Sequence, residues 1–192
     1  MSLIRKIHHV AYRCRDAAET VGFYREVLGM DFTIAFAEDF VPSTHEPDPY
    51  MHVFLDAGGG NVLAFFELPT REPMGRDPNT PTWVQHIAFS VESLSVLEAT
   101  RQRLLERGID VVGPTDHGLF HSIYFFDPNG HRLELTVDTA TPEMTRRARE
   151  VAPAMLEEWS RTKRAPRHAA FLHGAALPEP HAIDTDHGGP AS

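Results

Sequence analysis

The sequence predicts an α+β fold built from two consecutive β-α-β-β-β modules. Three observations carry that prediction. A strand, a helix and a glycine stop occur twice almost in register: His9 and His86 lie 77 residues apart, and Gly29 and Gly108 lie 79 apart. Each copy then continues into short, alternating apolar segments of strand length. Each also opens on a histidine and closes on a glutamate, Glu67 in the first and Glu134 in the second, and a fixed internal period is the signature of a repeated supersecondary unit.

The first module is expected over residues 5–69. Residues 5–15 (RKIHHVAYRCR) alternate as a strand, with His9, Ala11 and Arg13 on one face and His8, Val10 and Tyr12 on the other. Asp16 caps a helix over about residues 17–28, in which Val21, Tyr24, Val27 and Leu28 form the apolar stripe, and Gly29 ends it. Met30–Phe36 reads as a second strand. Residues 37–50 (AEDFVPSTHEPDPY) show no period and read as a loop, a candidate lid or pocket wall. Met51–Asp56 and Asn61–Leu68 are two further strands around the turn Ala57–Gly60.

Residues 69–81 are dense in proline and turn formers and make a linker. The second module, 82–137, opens with a strand at Trp83–Val91, then a helix started by Ser93 and stopped at Gly108, then a strand at Ile109–Val112 and a hairpin. That hairpin is the most informative stretch: an aromatic run (Ile123, Tyr124, Phe125, Phe126), the turn Asp127-Pro128-Asn129-Gly130, and a return arm bearing Glu134. A helical extension follows at 141–164, led by Thr141-Pro142-Glu143 and expected to break or restart at Pro153. Residues 175–192 lose all periodicity and read as a disordered tail, whose histidines are solvated.

Composition bounds the function. With 42% hydrophobic and 23% charged residues, 192 residues suffice for a filled core. A net charge of −9 argues against a nucleic-acid partner. No apolar run approaches a membrane span, and the opening MSLIRKIHH has no signal-peptide core, so a cytoplasmic protein without membrane partners is expected. The single cysteine, Cys14, excludes an intrachain disulfide and is expected to pack in the core.

A carboxylate such as Glu134 on a buried strand requires a partner, and a metal ion is one such partner. Two histidines and two glutamates from equivalent strands form a donor set suited to Fe(II), Mn, Ni, Co or Zn. On these residues, and on the run IHHVAYRCRDAAETVGFYREVLGMDF, the chain resembles the vicinal oxygen chelate superfamily over residues 5–137. The resemblance implies a cupped mixed sheet around one metal site, with His9, His86 and Glu134 as ligands. It also puts Glu67 where glyoxalases and related isomerases place a fourth ligand or base.

Two enzyme classes fit this resemblance. The stretch Thr115-Asp116-His117, Ile123-Tyr124, Asp127-Pro128, Gly130 and Glu134 is similar over its whole length to the signature of type I extradiol dioxygenases. That likeness implies Fe(II), O2 and a catechol-type substrate such as 2,3-dihydroxybiphenyl, with His117 and Tyr124 as second-sphere catalytic groups. Against it, the histidine usual two residues before Leu63-Ala64-Phe65 is replaced by Asn61, with His52 or His117 as substitutes. Glu67 as a fourth ligand would also leave too few open positions for catecholate and oxygen. The alternatives are a glyoxalase- or epimerase-type isomerase working through an enediolate, with Glu67 or Glu134 leaving the metal to move the proton, and a non-catalytic small-molecule binder. The small one-domain extradiol enzymes are the nearest resemblance in length, and paired modules suggest a homo-oligomer. Phe120, Tyr124, Phe125 and Phe126 would suit an apolar substrate, although Phe125 and Phe126 are expected to pack.

Overall fold

A computed structural model describes residues 3–173. The expected disordered tail at 175–192 lies outside the described residues. The order is β1 (Val10–Cys14), α1 (Ala17–Leu28), β2 (Asp31–Phe40), β3 (Pro47–Asp56), β4 (Val62–Glu67), then β5 (His86–Ser90), α2 (Leu94–Glu106), β6 (Val112–Asp116), β7 (Phe120–Phe126) and β8 (Arg132–Asp138), followed by α3 (Pro142–Thr162). Both modules are therefore β-α-β-β-β. They form two four-stranded mixed sheets, β1-β4-β3-β2 and β5-β8-β7-β6. In each, the last strand runs parallel to the first, so a module closes on its own opening strand.

Local chemistry explains the helices. The Asp16 carboxylate accepts from the Glu19 N–H, and Gly29 takes φ 69, a left-handed geometry that its missing Cβ permits. Helix α1 buries Ala17, Thr20 and Tyr24, and α2, capped by Ser93, buries Leu97, Thr100 and Leu104. Leu55, Leu63, Phe65, Ile123, Phe125 and Leu133 complete one hydrophobic cluster contributed by both modules. Burial of each such side chain stabilises by about 1.5–3 kcal/mol. Polar bonds tie the modules as well. Asp127, only 5% exposed, accepts from the Tyr24 hydroxyl at 3.1 Å, the Asn129 amide at 3.0 Å and the His131 backbone N–H at 2.8 Å. Cys14 packs in the core as expected, and burial pushes its thiol up to about 11.

Several elements differ from the sequence expectation. Strand β1 begins at Val10, so His9 precedes it. Much of the segment expected as a loop extends the two flanking strands instead: β2 runs on to Phe40 and β3 starts at Pro47, and they pair there through Glu38↔Tyr50 and Phe40↔Pro47. Pro49 disguises it, but falls opposite the register shift between Glu38 and Phe40, where no ladder N–H is needed. Helix α3 continues through Pro153 rather than breaking there.

The residues up to Thr115 with Ser122–Val137 form one compact unit. Asp116–His121 groups with the described residues from Asp138 onward in a second. In that second unit the Leu119 carbonyl accepts from the N–H groups of Thr139 and Ala140, both at 2.9 Å, and Arg147 lies 4.0 Å over the Phe171 ring. No described helix is long and apolar enough to cross a membrane.

Candidate metal centre

The second sheet assembles a buried polar cluster around Glu134. His86 opens β5, and its cross-strand partner is Arg132, while Ala88 is level with Glu134. This register carries the His86 Nε2 to 2.9 Å from the Glu134 Oε2. The Glu134 side chain is 5% exposed. Its other oxygen accepts from the Ser122 hydroxyl and, at 3.2 Å, from the Tyr124 hydroxyl. Arg132 lies 4.1 Å over the Tyr124 ring. Burial, and then the neighbouring Glu134 carboxylate, raise the Tyr124 phenol above its ordinary range.

The donor set fits a divalent cation. The His86 Nδ1 lies 3.0 Å from the Val84 carbonyl, an acceptor only, so Nδ1 carries a proton, and the tautomer with no second ring proton presents a lone pair at Nε2. That lone pair faces a carboxylate oxygen, an arrangement that needs a second ring proton or a cation between them. Adjacent ligands at about 2.1 Å from an octahedral ion stand about 3 Å apart, close to the observed separation. The Val84 carbonyl and the Ser122 and Tyr124 hydroxyls are outer partners of the kind that orient metal ligands.

The first sheet carries His9 and Glu67, on opposite faces. His52 stacks on Phe66 at 3.5 Å with an interplanar angle of 19°, so these two cross-strand partners share one face. The His9 ring sits on that face, 5.7 Å from Phe54 and 6.3 Å from His52. Glu67 follows Phe66 and so points to the other side, where it is level with buried Cys14. There its carboxylate accepts from the Ala17 N–H at 2.7 Å, at the first residue of α1. The repeat makes the comparison internal. Two residues after His86, Ala88 faces Glu134; two residues after His9, Ala11 faces Ala64. Ala64 thus holds the place of Glu134 in the first sheet.

The structure therefore brings His86, Glu134 and Tyr124 together, and holds His9 and Glu67 elsewhere. Among the described residues no three His, Cys, Asp or Glu side chains are grouped to hold a metal ion. His117 lies in the second unit, in the turn before β7, with its ring 4.8 Å from that of Phe120. Phe125 is core, and Phe126 lies under Arg76 at 4.8 Å. What sequence reasoning missed is an aromatic row on the His9 face, with Phe36, Phe54, His52, Phe66 and Tyr50 in successive ring contact. The i, i+2 alternation of Tyr50, His52 and Phe54 signals it, but the prolines at 47 and 49 mask the first residues of the strand, so Tyr50 reads as loop. Burial, and then His9, lower the His52 imidazole below its ordinary range, and its Nε2 is buried without a hydrogen-bond partner among the described residues.

Known proteins give the same picture of the fold. Residues 6–135 match the model of the glyoxalase/bleomycin resistance protein/dioxygenase superfamily. The metallothiol transferase FosB of Shouchella clausii is 42% identical over 157 residues, 80% of this chain and 94% of that one. The biphenyl-2,3-diol 1,2-dioxygenase 3 of Rhodococcus globerulus is 27% identical over 144 residues, 74% of this chain and 69% of that one. MhqA of Bacillus subtilis is 28% identical over 139 residues, but the chain spans only 41% of its length. Among solved structures, a glyoxylase/bleomycin resistance protein/dioxygenase domain from Frankia superposes with a TM-score of 0.58 at 20% identity, over 70% of this chain and 98% of that one. With two β-α-β-β-β modules and a family match across both, the chain belongs to the glyoxalase/bleomycin resistance protein/dioxygenase superfamily.

Proposed function

We propose that the protein is an extradiol ring-cleavage dioxygenase acting with O2 on a catechol-type aromatic such as 2,3-dihydroxybiphenyl. His86, Glu134 and His9 would be its metal ligands. The observation that carries this reading is Ala64 at the position equivalent to Glu134, together with Glu67 turned to the opposite face. Two imidazoles and one carboxylate leave one side of an octahedral ion open, room for a chelating diol and a co-substrate. A fourth carboxylate, which a glyoxalase-type isomerase uses to move its proton, has no counterpart on the His9 face. When bound, Fe(II) supplies the Lewis acidity and one-electron chemistry that ring cleavage requires. The chain's own part is to fix His86 through Val84, to hold Glu134 with Ser122 and Tyr124, and to keep the Tyr124 phenol protonated as a donor beside the substrate oxygens.

His9 reaches this centre from a second copy of the chain. His86 and Glu134 are two donors of a three-donor set, and His9 lies on another sheet with its face open. Strands β1 and β5 are unpaired edges of their sheets, so β1 of one copy can meet β5 of the next and carry His9 to His86. The aromatic row would then form the second wall of the cup.

The test is oxygen uptake after anaerobic loading with Fe(II), using a panel of catechols, with formation of the yellow ring-opened product from 2,3-dihydroxybiphenyl. The 42% identity to a metallothiol transferase favours one second reading, metal-dependent transfer of a thiol to a small electrophile. Thiol consumption in Mn-loaded protein, without oxygen uptake from any catechol, would establish that reading and reject ring cleavage.

A further inference from the structure

Two buried side-chain nitrogens have no hydrogen-bond partner among the described residues, Arg13 Nε and His52 Nε2. They belong to a single cross-strand row, in which Arg13 pairs with Phe66 and Phe66 with His52. All three side chains share the face that carries His9 and the aromatic row. An orphaned buried polar nitrogen is costly, and two on one row of one face point to a hydrogen-bonding group that the described residues do not provide. Both side chains are half-buried overall, so part of each is open to a ligand on the face they share.

We propose that Arg13 and His52 form the recognition site for an anionic substituent, a carboxylate, on the aromatic substrate. The chemistry favours an anion because an Arg Nε only donates and its guanidinium is permanently charged. The remaining known bond of that guanidinium, from Nη2 to the Glu72 carbonyl at 2.6 Å, fixes its position without neutralising it. Spacing narrows the ligand class. The His9 ring lies on Phe54, whose row is Ala11–Ala64–Phe54. Arg13 stands two residues further along β1, about 7 Å. The ligand is thus a catechol bearing a short acid chain, with its ring over Phe54 and Phe66 and its carboxylate at the Arg13 end. The assignment of the diol to the His9 end rests on the ring-cleavage reading above; the anion site itself does not.

The experiment compares 3-(2,3-dihydroxyphenyl)propanoate with its amide, which keeps the shape and loses the charge. Oxygen uptake by the Fe(II)-loaded enzyme is expected to favour the acid by roughly 10- to 100-fold in kcat/KM, through KM, as a charge-assisted contact implies. The preference should collapse in Arg13→Met, which keeps the aliphatic stem, and shrink in His52→Phe, which keeps the stack on Phe66. Equal use of acid and amide by the wild type, or an unchanged preference in both variants, overturns the assignment. Equilibrium dialysis of 3-phenylpropanoate against its amide separates the two ideas, since neither compound is cleaved. Should every catechol fail to consume oxygen, ring cleavage is rejected, and the dialysis alone decides the anion site. Tighter acid than amide in the wild type and no difference in Arg13→Met uphold it; no difference in the wild type rejects it.

Discussion

Chains carrying His9→Ala and chains carrying Glu134→Ala should each bind metal poorly and turn over little, yet recover function when refolded together. His86 and Glu134 lie 2.9 Å apart within one chain, whereas His9 sits on the other sheet with Phe54 and His52. If the third ligand comes from a second copy, random pairing of the two variants gives half mixed dimers. Each mixed dimer has one site combining the intact His9 of the Glu134→Ala chain with the intact His86 and Glu134 of the other, and one site lacking both. About a quarter of wild-type sites should therefore return, read as metal per chain after dialysis and as oxygen uptake. The variants alone set the baseline, and circular dichroism confirms that both fold. No recovery above that baseline, in a mixture shown by mass spectrometry to contain mixed dimers, would refute a shared site. Full metal binding by a monomer at low concentration would refute it equally.

Four further outcomes are expected. Glu67→Ala should lower stability by about 0.5–2 kcal/mol, through the lost bond to the Ala17 N–H, with metal content and ring cleavage retained; loss of metal would reinstate Glu67 as a ligand. Tyr124→Phe keeps the ring under Arg132 and removes the hydroxyl on Glu134, so turnover should fall roughly 10- to 100-fold while the melting temperature moves little. Phe65→Ala empties a fully buried site in the shared cluster and should cost about 3–5 kcal/mol in denaturant titrations. Cys14, whose thiol burial pushes up to about 11, is protonated and shielded at pH 8, so a thiol reagent should label it only after unfolding; one equivalent of rapid labelling in the native state would contradict its place in the core.

The repeat was legible because its signals are local. Asp16 and Gly29 bracket α1, Ser93 opens α2, and the turn Asp127–Gly130 closes the last hairpin; each acts within a few residues of its own position. The far end of the β2–β3 hairpin was hidden because two prolines suppress the strand signal at 47–50, and only the pairing partner shows that one of them falls at an irregularity in the ladder. Glu67 illustrates a stricter limit. Along a strand the face alternates at every residue, so marking the end of a strand with a glutamate says nothing about its side. Counted from Cys14, which lies in the core and is level with Glu67, the parity assigns that carboxylate to the helix face.

The location of the third ligand has a different kind of answer. The spacing of His9, His86 and Glu134 is the same whether β1 meets β5 within one chain or between two, because each strand is a free edge of its own sheet. The contacts inside the chain break that symmetry. Tyr24 on α1 bonds to Asp127, the Arg13 carbonyl meets the His131 ring at 2.7 Å, and Arg107 reaches the Glu26 carbonyl at 3.1 Å. These bonds join the two modules through α1, α2 and the β7–β8 turn, and none of them uses a side chain on the His9 face. On the reading proposed above, a face that carries His9, a row of aromatic rings and two nitrogens without a partner among the described residues would be the half of a cup whose other wall is a sheet bearing His86 and Glu134.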